Sequence, residues 1–93
     1  MKNTYTFKSN QIFFDKEKSG LKNNTFRKID LSDERFLELI AHNELGYNHL
    51  YIKIIDADNI SRSFEREIKD IIIYEGYMII TWAEEVTTKE AQK

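Results

Sequence analysis

The sequence predicts an α+β fold, a small antiparallel β-barrel of five to six strands with two helices. Three observations lead there. Apolar residues recur at helical spacing in two stretches of the first half and in short strand-like runs elsewhere. The strands of the second half follow one another through connections too short for parallel crossovers, so they pair antiparallel. Isoleucine-rich strands would also leave sticky edges in an open sheet, and closure removes them.

Taken in order, Thr4 to Phe7 alternates as a short strand with Tyr5 and Phe7 on one face. Ser9 or Asn10 caps a first helix, whose buried side is supplied by Ile12, Phe13 and Phe14. Lys16 and Lys18 fall in its last turn, where cations suit the dipole, and Gly20 ends it in the left-handed conformation. A second strand runs from about Asn24 to Ile29, with Phe26 and Lys28 pointing one way and Thr25, Arg27 and Ile29 the other. Asp30 or Ser32 opens a second helix, with Asp33 and Glu34 in its first turn and Phe36, Leu37, Leu39 and Ile40 as its apolar stripe. Leu50 to Ile55 is a strand, Ala57 to Asn59 its turn, and Ser61 to Ile68 an outer strand that bends or bulges at Lys69 and Asp70. Ile71 to Tyr74 and Tyr77 to Trp82 flank Glu75 and Gly76, a two-residue hairpin turn in which Gly76 takes positive φ. Tyr74, Tyr77 and Trp82 are expected in the core and barrel wall. Residues 1–83 form one domain, and 84–93 a charged tail.

Composition narrows the function. With 93 residues the chain is one domain that buries roughly 60–65% of its unfolded surface. It has no cysteine, which excludes disulfides and thiolate metal sites. No apolar run approaches a membrane span and the first residues do not read as a signal peptide, so the expectation is a cytoplasmic protein with no membrane partner. His42 and His49 are seven apart and read as surface or loop residues; no metal or other cofactor is expected. The net charge of −2 is unevenly spread: residues 1–28 carry +5, and residues 29–48 carry −4. A basic first third points to a local anion-binding face, not to whole-chain DNA binding.

The chemistry-bearing residues cluster in Gly20-x-Lys22-x-x-Thr25-x-Arg27. Gly20 turns the backbone so that an ammonium and a guanidinium converge on one mouth of the barrel. Arg27 brings a planar fork suited to phosphate or a base edge, and Lys22 a mobile point charge. Asn23 and Asn24 add donors and acceptors able to read a base, and Lys28 a further cation. Tyr5, Phe26 or Tyr47 would stack on a splayed-out base, which suits RNA single strands better than a duplex groove. The plainer reading has Gly20 as a helix cap, the asparagines as a turn, and Arg27 paired with an acid such as Asp30.

This spacing resembles the ASCH superfamily, small PUA-like barrels whose signature after a first helix is G-x-K-x-x-E-x-R. Gly20, Lys22 and Arg27 match, and Thr25 stands where most members have glutamate. The threonine form resembles the N(4)-acetylcytidine amidohydrolases, and the stretch is also similar to small phage and prophage proteins. The resemblance implies a PUA-like fold and an RNA- or nucleotide-binding module. An amidohydrolase of this type would use Thr25 as nucleophile or water-positioning hydroxyl, Lys22 as base, and a carboxylate from Glu65, Glu67 or Glu75. A different reading makes the chain an inhibitor of a host protein. The acidic second helix, with Asp33, Glu34 and Glu38, would then meet a basic partner.

Overall fold

A computed structural model describes residues 3–46 and 49–83. The elements run β1 (Asn3–Ser9), α1 (Gln11–Ser19), β2 (Asn24–Lys28), α2 (Glu34–Glu44), β3 (Leu50–Asp56), β4 (Ser63–Tyr74) and β5 (Tyr77–Trp82). Among the described residues no helix is long and apolar enough to cross a membrane. The tail from 84 onward, and Tyr47, lie outside the described residues.

The five strands form one mixed sheet in the order β1-β3-β4-β5-β2. The antiparallel expectation holds for β3, β4 and β5, and for β2 against β5. It fails for β1, which pairs parallel with β3 from Asn3 opposite Leu50 to Ser9 opposite Asp56. The reason is connection length: α1, β2 and α2 all lie between these strands, ample chain for a parallel crossover. The expected outer strand and the first arm of the last hairpin are one continuous β4. Its register shifts between Ile68 and Asp70, where the sequence suggested a bend or bulge. An extra residue there sharpens the local twist, so β4 pairs with β3 along its first half and with β5 along its second. The sheet thereby curls into a half-barrel with β1 and β2 as its edges.

Both helices pack into the hollow of this sheet. Phe14 of α1 and Phe36 and Leu39 of α2 join Phe7, Ile52, Ile54, Met78, Ile80 and Trp82 in a single core. Phe14 stacks at a tilt on Phe64, and Phe36 meets Phe7 edge-on. Asn10 caps α1 by accepting from the Phe13 N–H, and Gly20 ends it at φ 90°. Asp33, one residue past the two expected caps, caps α2 through the Arg35 N–H, because Asp30 is already held by Ser32. Glu75 and Gly76 both take positive φ, as a tight hairpin turn requires.

Three expectations about burial fail, one of them Leu37 of the α2 stripe, which is 47% exposed. Of the first helix's three apolar residues only Phe14 is inside; Ile12 and Phe13 are 69% and 50% exposed. Three consecutive positions span most of a helix's circumference, so one face cannot bury them all. Trp82 is in the core, but Tyr74 and Tyr77 lie on the outer surface, because alternation sends them opposite to Met78, Ile80 and Trp82.

Candidate functional site

The two free edges of the half-barrel come together at one point, where Arg27 spans them. Arg27 leaves β2 and donates from Nη1 to the Lys8 carbonyl (2.8 Å) and from Nη2 to the Ser9 hydroxyl (2.9 Å), both on β1. Its Nε donates to Thr25 Oγ1 at 2.9 Å, which fixes the plane of the fork. The guanidinium lies 5.2 Å from the centre of the Phe7 ring, which Arg35 also covers, at 4.3 Å. Arg35 reaches the Thr6 carbonyl, so two arginines cap the free edge of β1.

Below Arg27 lies a carboxylate that the sequence reading missed. Glu17 is 2% exposed, accepts from the Ser9 hydroxyl at 2.9 Å, and pairs with the Lys22 ammonium at 3.2 Å. Lys22 also donates to the Asn24 carbonyl. The local chain path makes this possible: after Gly20 turns left-handed, the Lys22 N–H returns to the Lys16 carbonyl, laying Lys22 back over the helix end. Lys22, Glu17, Ser9, Arg27 and Thr25 thus form one continuous polar chain across α1, β1 and β2. Burial lowers the Arg27 pKa from its ordinary value, Glu17 partly offsets this, and Arg35 adds to it. An arginine stays cationic through such a shift.

This chain floors a cleft of about 470 Å³. Phe13 and Phe26, the latter 62% exposed, stand on its wall, and Lys8 and Asn10 border it. Lys8, Lys22 and Arg27 against Glu17 give the lining a formal charge of +2. A second hollow of about 440 Å³ continues along the β1 edge past Arg27 to Arg35.

Of the residues singled out from sequence, Lys22, Thr25 and Arg27 meet in this cleft, with Thr25 only 3% exposed. Asn23, Asn24 and Lys28 are not on its wall. Arg27 does not pair with Asp30, which is held by Ser32. Phe26 is at the cleft, whereas Tyr5 is buried elsewhere and donates to Glu38 at 3.1 Å. Glu65, Glu67 and Glu75 are absent from the lining; Glu67 faces Lys69 and His49, each at 3.7 Å. On α2, Asp33 is taken by Arg35 and Glu38 by Tyr5, and Glu34 is exposed. His42 lies beside Tyr5, and among the described residues no cluster of three metal-ligating side chains occurs.

No family model and no curated protein matches the chain.

The missed residues left a signal. Glu17 is three positions after Phe14, and so on the buried face of α1. Ser9 continues the inward alternation of Tyr5 and Phe7. A carboxylate at a core-facing helical position needs a cation, and Lys22 and Arg27 were the cations at hand. Chemically the site offers fixed donors for an anion, a buried carboxylate beside an ammonium and a hydroxyl, and an exposed aromatic side chain, Phe13, for a planar ring.

Proposed function

We propose that the cleft between β1, α1 and β2 binds a nucleotide or a short single-stranded RNA segment, as an ASCH-like, PUA-like module would. The observation that carries this reading is the meeting of Lys22 and Arg27 in one hollow that the half-exposed Phe13 borders. Glu17 neutralises one positive charge and the remainder of the lining stays cationic. Arg27 has placed three of its five N–H donors and Lys22 two of its three, leaving donors for a phosphate or a base edge. Stacking on a phenylalanine adds about 1–3 kcal/mol per base.

Fluorescence anisotropy with a labelled oligoribonucleotide tests it. Affinity is expected to fall steeply with salt and to be lost in Lys22→Ala and Arg27→Ala. Phe13→Ala alters an exposed ring outside the core, and it is expected to weaken binding about tenfold with the fold intact. Unchanged affinity in Phe13→Ala and Lys22→Ala would remove the reading.

One observation favours a second reading, an N(4)-acetylcytidine-type amidohydrolase. The carboxylate such chemistry needs is supplied by Glu17, already paired with Lys22, with Thr25 on the same wall. Thr25 Oγ1 accepts from Arg27, which leaves its own hydrogen free to be given up. Release of acetate from N(4)-acetylcytidine, lost in Thr25→Val, is the expected outcome. No release at high protein concentration sinks it.

A further inference from the structure

The outer face of the β2-β5-β4 half of the sheet carries an apolar patch. Cross-strand register sets it out as three rows of outward side chains. Phe26, Ile79 and Ile72 form the middle row; Lys28, Tyr77 and Tyr74 the row toward the hairpin turn; Asn24, Thr81 and Asp70 the row at the bulge. Phe26, Ile72, Tyr74 and Tyr77 are 44–65% exposed. Both helices contribute to the core on the opposite side of the sheet.

We propose that this face binds a second copy of the chain in an isologous dimer. The charges at its corners select that occupant. Lys28 and Asp70 sit at opposite ends of one diagonal, with Ile79 at the centre. A two-fold axis along the other diagonal, from Asn24 to Tyr74, places Lys28 of each copy against Asp70 of the other. The same rotation sets Ile79 on its own counterpart and Ile72 on Tyr77, and crosses the strands at nearly right angles, one of the two common ways for sheets to pack. A patch with one cation and one anion on a diagonal is complementary to itself, and less so to a uniformly charged partner. Three part-exposed aromatics and two isoleucines with their polar rim bury about 500 Å² per copy, roughly 1,000 Å² in the pair. That is the lower bound for a specific interface, so the dimer is expected to be weak and reversible.

Sedimentation equilibrium of the full chain from about 1 μM to 1 mM tests the proposal. The expected result is a monomer–dimer equilibrium that Ile79→Lys abolishes. Lys28→Glu alone and Asp70→Lys alone each weaken dimerisation at least tenfold, and an equimolar mixture of the two restores it, since both corner pairs are then complementary. Circular dichroism verifies that each variant is folded. A wild-type chain that stays monomeric throughout overturns the proposal, as does a dimer indifferent to Ile79→Lys. Failure of the mixture to recover overturns the diagonal arrangement.

Discussion

Glu17 is the residue on which the site's electrostatics turn. Its carboxylate is buried, and its two oxygens are divided between Ser9 and Lys22. Glu17→Gln keeps the shape and the Ser9 contact but removes the charge that Lys22 faces. Because Lys22 is partly solvated, the expected loss is about 1–2 kcal/mol, read as a lower urea midpoint with an unchanged slope. The same change raises the formal charge of the cleft lining from +2 to +3, so affinity for an anionic ligand is expected to rise while stability falls. A purely structural glutamate would show the second effect without the first. Tyr5 gives a pH-dependent counterpart. Burial, then the hydrogen bond to Glu38 and its charge, push the phenol up from 10.0 to about 12. The folded chain therefore holds this proton more tightly than the unfolded chain. The contribution is complete below pH 10 and is lost as pH rises from 10 toward 12. Phenolate absorbance should show a late-titrating step, and Tyr5→Phe should delete it.

Among the elements, β2 depends most on a side chain. It has a backbone partner in β5 on one side, and on the other Arg27 ties it to β1. Arg27→Lys retains the charge but cannot hold Thr25, Lys8 and Ser9 together from one plane. Thermal denaturation is expected to show a loss of about 1–3 kcal/mol, with no recovery in binding. The helices are more self-sufficient: Asn10 and Gly20 cap α1 from within its own sequence, and Asp33 does the same at the start of α2. This difference explains what the sequence made legible. The ends of α1, the Glu75–Gly76 turn and the bulge near Lys69 are set by residues within a few positions and were readable, whereas the start of α2 at Asp33 was missed among three neighbouring residues able to cap. The Gly20-led turn was readable for the same reason, and with it the shared hollow of Lys22 and Arg27. The parallel partner of β1 was not, because alternation in Thr4 to Phe7 says which face is apolar and nothing about which strand lies alongside. Glu17 was hidden by its type: a lysine-rich stretch around a glutamate reads as solvated surface until the fold brings Ser9 beneath it.

At the scale of the molecule, the curled sheet decides what is inside and what is not. The bulge in β4 folds one sheet back on itself, so a chain of this size encloses one core with two short helices as filling. The same curl decides which face of β5 is buried: alternation sets Tyr77 opposite Met78, Ile80 and Trp82, and the enclosed side takes the latter three. It also brings β1 and β2 face to face without a ladder between them. The carbonyls of Thr6 and Lys8 go to arginine side chains, which places the even-numbered amides of β1 on this open side. Hydrogen exchange at Thr6 and Lys8 is expected to run well ahead of Ile52 and Ile54 in the interior strand β3. A lip stitched by a guanidinium also responds to cargo in an unusual direction. An anion that draws Arg27 away from Lys8 and Ser9 unfastens the rim as it settles, so loading the cleft should speed deuterium uptake at Phe7 and Ser9, whose amides face β3, while slowing it around Lys22. The protein would grip its guest by letting go of itself.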